Sequence, residues 1–339
     1  MAKQTFPIST IDLTGCKDVG TLQAFQLLDN SKYRCRPYNK ISIFEDSVVK
    51  EGLTPEAKLF VKREIEWYKK LHSFGFKNIP KLLSEEPMKM SKINGQNLFL
   101  SVLAPDGKRE VFKKLVKALK RLHSFEEREA SSWDIYREYF QKTIERLRGV
   151  AHSIPFANEK KITINGLECI NILQCQNTFR EAVMQTLMST VYTPIHGDCQ
   201  LTNTLLDSNG DIFFIDPRGY FGSSQIFGDV RYDWAKVYFA IIGNFDQYNI
   251  KNISLSIEND GNVKFKIGSG GWEFLEDYFL SEIPNGQGSR KEIELIHSVI
   301  WLSMASHAWE DFDSMCIAFY KGTLLFNKWL KDYSENADN

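Results

Sequence analysis

The chain has 339 residues, with 42 Lys and Arg against 43 Asp and Glu, so its formal net charge is −1. This balance gives no general attraction to nucleic acid or to an anionic membrane surface, and we expect neither as a partner. Hydrophobic residues make up 43% and charged residues 25%, as in soluble globular proteins, and the length allows one large or two modest domains.

The six cysteines are scattered and form no Cys-x-x-Cys pair. This spacing argues against a zinc site or a disulfide framework and indicates a reducing compartment. The first residues lack the apolar core of a signal peptide, and no apolar run is long enough to cross a bilayer. We therefore expect a cytoplasmic protein, and the oligomeric state stays open.

Residues 1–94 predict a small, strand-rich unit with one helix. Two short apolar strands, residues 41–44 and 47–50, flank Glu45-Asp46 in a tight-hairpin pattern. A helix is predicted from residue 55 to residue 74, because its apolar residues recur at helical spacing and a proline opens its first turn.

Beyond residue 97 the pattern is mainly helical. Helices are predicted over residues 111–124, 131–152 and 167–190, and a peripheral hairpin over residues 249–266. We interpret His123, at the end of the first of these helices, as structural, because a histidine at a helix C-terminus needs no catalytic role. The aromatic side chains of the next helix are predicted to be core rather than ligand-stacking residues: Trp133, Tyr136, Tyr139 and Phe140.

Residues 195–216 read IHGDCQLTNTLLDSNGDIFFID and predict a β-hairpin. Asn209-Gly210 favours a type I′ turn, in which both central residues need positive φ. Such a turn pairs Ser208 with Asp211.

Counting back from that turn places Asn203 opposite Asp216. An amide oxygen and a carboxylate side by side form a seat for a hard divalent cation such as Mg²⁺. Asp198 can reach the same place from the preceding loop. The alternative interpretation is an ordinary hairpin with solvated polar ends.

The order of these residues carries a family resemblance. His196-Gly197-Asp198, followed by Asn203 and Asp216, resembles the catalytic loop and metal-binding Asp of protein-kinase-like phosphotransferases. Glycine in place of arginine after the histidine points to the small-molecule branch, which holds the aminoglycoside phosphotransferases and the choline and ethanolamine kinases.

Two further runs resemble a subgroup associated with polysaccharide and capsule biosynthesis. They are Asp-Pro-Arg-Gly at residues 216–219 and Gly-Asp-x-Arg-Tyr-Asp-x-Ala-Lys at residues 228–236. The resemblance implies a two-lobed, protein-kinase-like α+β fold. Its small β-rich N-lobe would span residues 1–94 and bind nucleotide, and its large, mainly helical C-lobe would span residues 95–339.

The resemblance also implies a reaction, which is transfer of the ATP γ-phosphoryl group to a hydroxyl of a sugar, alditol or amino alcohol. Asp198 would position the acceptor hydroxyl and accept its proton, while Asn203 and Asp216 would hold Mg²⁺. Asp233 would support the catalytic loop by accepting backbone hydrogen bonds. GTP is the alternative nucleotide.

On the nucleotide side, Lys50 matches the lysine that contacts the α- and β-phosphates in this family. Its predicted partner is Glu64, with Glu66 as the competing carboxylate. Ile93 lies in the predicted hinge, at about residues 91–95, where backbone groups of the family bind adenine. No G-x-G-x-x-G precedes Lys50. Instead, alternating basic residues either meet phosphate oxygens or form a solvated strand face: Lys32, Arg34 and Arg36.

On the acceptor side, Arg218 is predicted either to contact the substrate or transferred phosphate, or to form an ion pair with Asp229. Three residues near the last helices are candidate hydrogen-bonding partners for the acceptor: His307, Glu310 and Asp311. The alternative is that they form the solvent face of an amphipathic helix. Only residues 217–228 separate Asp216 from Asp229, which is too short for a protein kinase's activation loop and favours a small-molecule acceptor.

Two other classes of protein compete with a kinase. A pseudokinase would bind nucleotide without transferring phosphate, and the atypical phosphate-binding segment before Lys50 keeps this alternative open. A metal-dependent hydrolase could also use oxygen ligands, but such sites recruit more histidines and carboxylates. Of the six histidines, only His196 lies in the constellation.

Overall fold

A computed structural model describes residues 38–189 and 191–334. Its strands are β1 Asn39–Ile43, β2 Ser47–Gly52, β3 Leu82–Glu85, β4 Met88–Ser91, β5 Gly95–Asn97, β6 Arg128–Glu129, β7 Lys161–Ile164, β8 Leu167–Ile170, β9 Val191–Pro194, β10 Thr204–Asp207, β11 Ile212–Phe214, β12 Tyr220–Phe221, β13 Ser224–Gln225, β14 Phe227–Gly228, β15 Ile253–Ile257 and β16 Asn262–Ile267. The basic residues Lys32, Arg34 and Arg36 lie outside the described residues.

The helices follow the same chain order. They are α1 Pro55–Ser73, α2 Pro105–Leu122, α3 Ser132–Ile135, α4 Lys142–Val150, α5 Gln176–Thr186, α6 Val230–Ile241, α7 Phe245–Asn249, α8 Glu276–Glu282, α9 Arg290–His307 and α10 Phe312–Ser334. A π-helical turn, Tyr136–Gln141, joins α3 to α4. No helix in the described parts of the chain has both the length and the apolar character needed to cross a membrane.

The N-terminal part is an antiparallel sheet with α1 packed against it. The sheet order is β1-β2-β4-β3, and Phe44 N–H donates to the Ser47 carbonyl at 2.8 Å to close the predicted hairpin turn. Thr54 caps α1. Pro55 opens the helix, as the sequence predicts. The buried face of α1 includes Glu64, which brings a carboxylate to the sheet carrying Lys50.

The chain leaves this sheet at β5. Strand β5 pairs with β10 of the catalytic hairpin, in a separate sheet of order β11-β10-β5. The Trp67 indole N–H on α1 donates to the Ile195 carbonyl at 2.7 Å, so the N-terminal helix is fastened to the segment before the catalytic loop. The candidate site therefore lies between a β-rich part and a mainly helical part.

The helical part is organised around α6, which is buried almost throughout. Helix α9 packs against α6 and α10, and Trp234 and Trp301 are fully buried among these helices. Helix α2 buries the apolar face that the sequence predicts, and His123 caps its C-terminus. Helix α2 begins at Pro105 rather than at the predicted residue 111, because proline is well suited to a first helical turn.

The predicted helix over residues 167–190 is wrong in its first third. Asn165 and Gly166 both have positive φ, +48° and +81°, and form a tight turn that joins β7 to β8. Strand β7 also pairs in parallel with β16, giving a peripheral sheet of order β15-β16-β7-β8. Helix α5 begins only at Gln176.

The predicted helix over residues 131–152 is interrupted by the π-helical turn between α3 and α4. Tyr139 is buried as predicted, whereas Trp133 is 58% exposed and stacks on Tyr136 at 5.5 Å between ring centroids. Single π-helical turns are often found at functional sites. Here the turn carries Glu138 into the interior.

Candidate active site

The hairpin that carries the predicted site has a three-residue loop. The Asp207 N–H donates to the Asp211 carbonyl at 2.9 Å, and the Gly210 N–H donates to the Asp207 carbonyl at 3.0 Å. Of the loop residues, Gly210 has positive φ, +77°, and the Asp207 carboxylate accepts the N–H groups of Asn209 and Asp211. This is a type I turn followed by a left-handed residue, so the predicted type I′ turn is wrong.

The longer loop moves the predicted register by one position. Thr204 pairs with Phe214, and the Ile215 N–H donates to the Asn203 carbonyl at 3.0 Å. Asn203 therefore lies opposite Ile215. The predicted pairing of Asn203 with Asp216 is wrong. Asp216 has left the strand with φ +58°, and its carboxylate contacts Lys50.

Lys50 lies between two carboxylates. Its Nζ is 2.6 Å from Glu64 Oε2 and also contacts Asp216 Oδ1, while Glu66 pairs with Lys69 instead. Lys50 and Glu64 are both buried. Burial alone would lower the pKa of Lys50, but Glu64 and Asp216 outweigh that effect and raise the pKa above its usual value. The ammonium group is therefore held charged, which the predicted contact of Lys50 with phosphate would require.

Asp233 supports the predicted catalytic loop by accepting hydrogen bonds from its backbone, as predicted. Its carboxylate accepts the N–H groups of His196 at 2.8 Å and Gly197 at 2.7 Å, and it contacts His123 Nε2 at 3.0 Å. Burial alone would raise the pKa of Asp233, but His123 and His196 outweigh that effect and hold the pKa below its usual range. His123 is structural, as predicted, and its partner is Asp233.

His196 has a structural position in the same loop. Its Nδ1 accepts the Asp198 N–H at 3.2 Å, and its Nε2 lies 3.0 Å from the Ile215 carbonyl. These two contacts require the neutral ring with the proton on Nε2. Burial lowers the pKa of His196, which favours that neutral form. The ring thereby connects the catalytic loop to the end of β11.

Asp198 is held by side chains from two other segments. Its Oδ1 lies 2.8 Å from Lys236 Nζ, and its Oδ2 accepts the Asn203 amide at 2.8 Å and the Gln200 amide at 3.4 Å. Burial alone would lower the pKa of Lys236, but Asp198 outweighs that effect and raises it. Asp198 is thus fixed in orientation while part of its carboxylate stays accessible.

Asn203 and Asp216 are the predicted magnesium ligands, and each has a side-chain oxygen of the type that Mg²⁺ prefers. Because Asn203 Nδ2 is committed to Asp198, the Asn203 Oδ1 atom points away from that carboxylate and is available as a ligand. The Asp216 side chain is 53% exposed and offers its second oxygen. The described residues contain no group of three or more His, Cys, Asp or Glu that could hold a metal. This donor set suits Mg²⁺, which takes one or two protein ligands together with phosphate oxygens and water.

The predicted hinge lies between β4 and β5. The Ile93 carbonyl accepts the Gly95 N–H at 3.0 Å, and the Ser208 N–H donates to the Asn94 carbonyl at 3.0 Å. The contact predicted for Ile93, a backbone hydrogen bond to a base, stays a prediction.

Arg218 has a different partner from the one that sequence reasoning offered. Its guanidinium pairs with Glu138 Oε2, whereas Asp229 pairs with Arg231. The predicted Arg218–Asp229 ion pair is therefore wrong. Arg218 packs closely over Gly197. A Cβ at that glycine would lie only 2.7 Å from the Arg218 Cβ, so a larger residue would not fit there. Glycine after His196 thus makes room for an arginine beside Asp198.

The three predicted acceptor residues near α9 and α10 have local contacts. His307 Nδ1 lies 3.1 Å from the Ser303 carbonyl one turn earlier. Asp311 accepts the Ser314 N–H and pairs with Lys251 at 2.9 Å, and Glu310 is exposed. Binding of the acceptor by His307, Glu310 and Asp311 stays a prediction.

Sequence reasoning missed Lys236 and Glu138, which contact Asp198 and Arg218. A signal for Lys236 is its spacing of three residues from Asp233, which places both on one face of α6. A signal for Glu138 is the charged stripe it forms at four-residue spacing with Lys142 and Arg146. Neither signal names the distant partner, so only the folded chain reveals these contacts.

Comparisons with known proteins place this geometry in a family. The phosphotransferase enzyme family matches residues 28–242 of the chain. The structure of the gentamicin-APH(2")-IIa complex is similar over 90% of this chain and 96% of its own, with a TM-score of 0.51 and 18% identity. A glucosamine kinase structure is similar over 80% of this chain and 72% of its own, with a TM-score of 0.52 and 12% identity.

A search of curated proteins finds no match. At such low identities the two structures establish the fold alone, and they confirm the predicted two-lobed, protein-kinase-like α+β architecture. The family match extends over more than half of the chain. The chain belongs to the phosphotransferase enzyme family.

Proposed function

We propose that this phosphotransferase is a small-molecule kinase that transfers the γ-phosphoryl group of ATP to a hydroxyl of a sugar, alditol or amino alcohol. One observation carries the proposal: Asp198 and Asn203 are in contact, and the same loop is joined through His196 to the segment whose Asp216 contacts Lys50. Phosphoryl transfer depends mainly on positioning and charge stabilisation, so these few groups are sufficient for it.

Lys50 is suited to the α- and β-phosphates. Glu64 fixes its position from α1, and the contact with Asp216 joins the phosphate-binding lysine to the proposed metal ligand. Asn203 and Asp216 would hold Mg²⁺, which when bound neutralises charge on the β- and γ-phosphates. The Ile93 N–H is a donor for the base, and GTP is the alternative nucleotide.

Asp198 would orient the acceptor hydroxyl and accept its proton. Lys236 and Asn203 hold two different oxygens of its carboxylate, which limits rotation of the side chain. Correct orientation of a general base is a large part of its effect, because the hydroxyl must lie within hydrogen-bond reach.

The segment after Asp216 supports a small-molecule acceptor. Residues 217–228 fold into the β12–β13 hairpin, which is fastened to Asp134 through the N–H and hydroxyl of Ser223. A Cβ at Gly222 would lie 2.3 Å from the Asp134 carboxylate, so this turn packs closely against α3. Such a compact segment leaves no extended loop on which a peptide could dock. The Asp-Pro-Arg-Gly resemblance favours a carbohydrate acceptor in polysaccharide biosynthesis, in the cytoplasm where ATP is available.

The test begins with an acceptor screen and then uses Asp198→Asn. Sugars, alditols, amino alcohols and aminoglycosides are offered with ATP and with GTP, and phosphate transfer is measured. For the best acceptor, Asp198→Asn should lower kcat about a hundredfold or more, because the amide cannot accept the proton. Calorimetry should find its ATP affinity within about twofold of the wild type, since Asp198 faces the acceptor.

Asp211→Asn is the matched control, because it removes an exposed carboxylate from the same hairpin without touching the Asp198 contacts. It should keep full turnover. Full turnover in a folded Asp198→Asn protein would contradict the proposed role of Asp198. Nucleotide binding by the wild type without transfer to any acceptor would instead identify a binding module.

A further inference from the structure

Basic side chains from three segments meet around two tyrosine rings beside Asp198. We call them the cationic cluster: Arg63, Lys142, Arg146 and Arg218, around Tyr220 and Tyr232. They come from α1, from α4 and from the segment after Asp216. The cluster is therefore a tertiary arrangement and not a run of basic residues in the sequence.

Tyr220 is the centre of the cluster. The guanidinium carbons of Arg63 and Arg218 lie 4.6 Å and 4.3 Å from its ring centroid, and Lys142 Nζ lies 5.7 Å from it. Cations within about 6 Å of an aromatic ring are attracted to its face. Three cations of the cluster thus share one aromatic ring.

The cluster adjoins the proposed catalytic base. The Arg218 N–H donates to the His196 carbonyl at 2.8 Å, and the Arg218 side chain packs over Gly197. The Tyr232 ring centroid lies 5.4 Å from the Arg218 guanidinium carbon and 5.9 Å from Lys236 Nζ. Lys236 in turn forms an ion pair with Asp198. A molecule whose hydroxyl lies at Asp198 would therefore reach the cluster with its neighbouring substituents.

The positive charge of the cluster is only partly neutralised. Glu138 accepts from Lys142 at 2.9 Å and pairs with Arg218. Arg146 makes no hydrogen bond or ion pair with any residue in the described ranges. Glu138 forms ion pairs with two of the four cations, Lys142 and Arg218, so one carboxylate is shared between them.

These charges are also partly removed from water. The side chains of Arg218 and Lys142 are 15% and 21% exposed, so solvent screens them only in part. Burial lowers the pKa of Lys142 to about 8, and repulsion from Arg218 adds to the effect. Burial likewise lowers the pKa of Arg146. An anion bound at the cluster would therefore be attracted by these cations, with only partial screening by solvent.

Parts of the cluster are reachable from solvent. Of its members, Arg146 lines a cleft of about 370 Å³, whose walls also include Glu145, Ser306 and Trp309, and the Trp309 side chain is 64% exposed. Tyr220 and Tyr232 are half-buried. Tyrosine rings offer an apolar face for the C–H surface of a sugar, and arginine forks match a carboxylate or a phosphate.

We propose that the cationic cluster binds an anionic group, a carboxylate or a phosphate, on the acceptor, so that the preferred acceptors are acidic sugars. The proposal rests on the proposed kinase function and names its substrate class. A sugar amine or an amino alcohol would bring a positive charge next to Arg146 and Arg218 and would be disfavoured. The expected acceptor thus has the opposite charge to gentamicin or glucosamine, which appear in the names of the similar structures.

The test compares sugars that differ in one substituent. In the gluco series they are glucose, glucosamine, glucuronate and glucose 6-phosphate, and the galacto and manno series are built in the same way. Transfer from ATP gives kcat/KM, and calorimetry with a non-hydrolysable ATP analogue gives sugar affinity. An anionic member of at least one series should exceed its neutral counterpart at least tenfold in both measurements. The amine should rank lowest. The two anionic members distinguish carboxylate from phosphate recognition.

Variants link that preference to the cluster. Arg146→Gln should lower affinity for the preferred anionic sugar at least tenfold, while ATP affinity changes less than twofold. Arg146→Lys, which keeps the charge, should recover most of the affinity. Arg148→Gln is the matched control, because Arg148 is exposed on the same helix and donates to Gln176.

Three results would overturn the inference: anionic sugars no better than neutral ones in all series, a preference for the amines, or an anionic sugar whose affinity is unchanged by Arg146→Gln. These results leave the kinase function standing as long as transfer to any acceptor is found. Failure of the wild type to bind ATP would instead contradict the proposed function. Affinity for the anionic sugars is measured independently of turnover, so it decides the inference even where transfer is slow.

Discussion

Lys236 is the side chain that fixes the orientation of Asp198 from outside the catalytic loop. It lies on α6, is 9% exposed, and its Nζ is 2.8 Å from Asp198 Oδ1. Under the proposed function it is a positioning residue, because it would act through Asp198. Lys236→Met keeps the length and apolar stem of the side chain but removes the ion pair. We expect kcat to fall at least tenfold, with the nucleotide KM unchanged, because a misoriented base loses part of its catalytic effect.

Lys321→Met is a suitable control for that prediction. Lys321 on α10 is a half-buried lysine, and its Nζ donates to the Gly243 carbonyl in the turn after α6. Its replacement should alter stability without changing the ratio of kcat to nucleotide KM. Equal kinetic effects of both replacements would show that Lys236 acts through general stability.

Glu138 gives the protein a specific dependence of stability on acid. Burial alone would raise its pKa, but Arg218 and Lys142 outweigh that effect and lower the pKa from 4.5 to about 2. Between these values the unfolded chain binds a proton that the folded protein does not. Stability from this carboxylate is therefore full above about pH 4.5 and is lost as the pH falls through about 2. A shift of this size corresponds to about 3 kcal/mol.

Urea unfolding of the wild type and of Glu138→Gln, at several pH values, measures this contribution. The wild type should be more stable by about 3 kcal/mol near pH 6, and the difference should shrink steadily between about pH 4.5 and 2. Glu145→Gln, on an exposed carboxylate of the next helix, should show no such trend. A stability difference that is constant across this pH range would refute the ion-pair account of Glu138.

At the scale of elements, short-range rules predicted some hairpins and failed at others. The Glu45-Asp46 turn was predictable because two residues link matching strands. The catalytic hairpin was predicted at the right place but with a register wrong by one, because Asn209-Gly210 also occurs in a three-residue loop. The Asp207 carboxylate selects that loop through its backbone hydrogen bonds. The turn preference of the Asn209-Gly210 pair takes no account of Asp207.

Helix α6 illustrates why the rest of the site was less predictable. Its charged residues are buried in a helix whose sequence resembles an apolar core segment, and each has a partner far away in the chain. Asp233 pairs with His123 and Lys236 with Asp198, while Arg231 pairs with Glu292 as well as with the nearby Asp229. Helical spacing could place Asp233 and Lys236 on one face, but it could not choose their partners. Sequence order predicted the catalytic loop, and only tertiary packing shows which side chains support it.

At the scale of the whole molecule, the two lobes meet through buried side chains as well as through the site itself. Trp67 on α1 donates to the Ile195 carbonyl at 2.7 Å and packs edge-on against His196, with 5.6 Å between ring centroids. Lys50 and Glu64 belong to the same N-terminal unit. We therefore expect the position of Lys50, the proposed phosphate-binding lysine, relative to the proposed catalytic loop to depend on Trp67.

Trp67→Phe tests this dependence. It removes a buried hydrogen bond and leaves a small cavity, and we expect a loss of about 1–3 kcal/mol in the free energy of unfolding. Because the lost contact also fixes the catalytic loop relative to α1, kcat/KM for ATP should fall at least tenfold in protein that remains folded. Circular dichroism, urea unfolding and steady-state kinetics on the same samples separate the two effects.

The matched variant is Trp329→Phe on α10. Trp329 is also buried and donates its indole N–H to a backbone carbonyl, that of Lys291 at 2.8 Å, but both partners lie within the helical lobe. It should lose a similar amount of stability and keep its kcat/KM for ATP, because nothing between the lobes changes. If the two variants lost activity in equal proportion to stability, Trp67 would be an ordinary core residue. A kinetic loss confined to Trp67→Phe would identify it as the contact that sets the lobes for transfer.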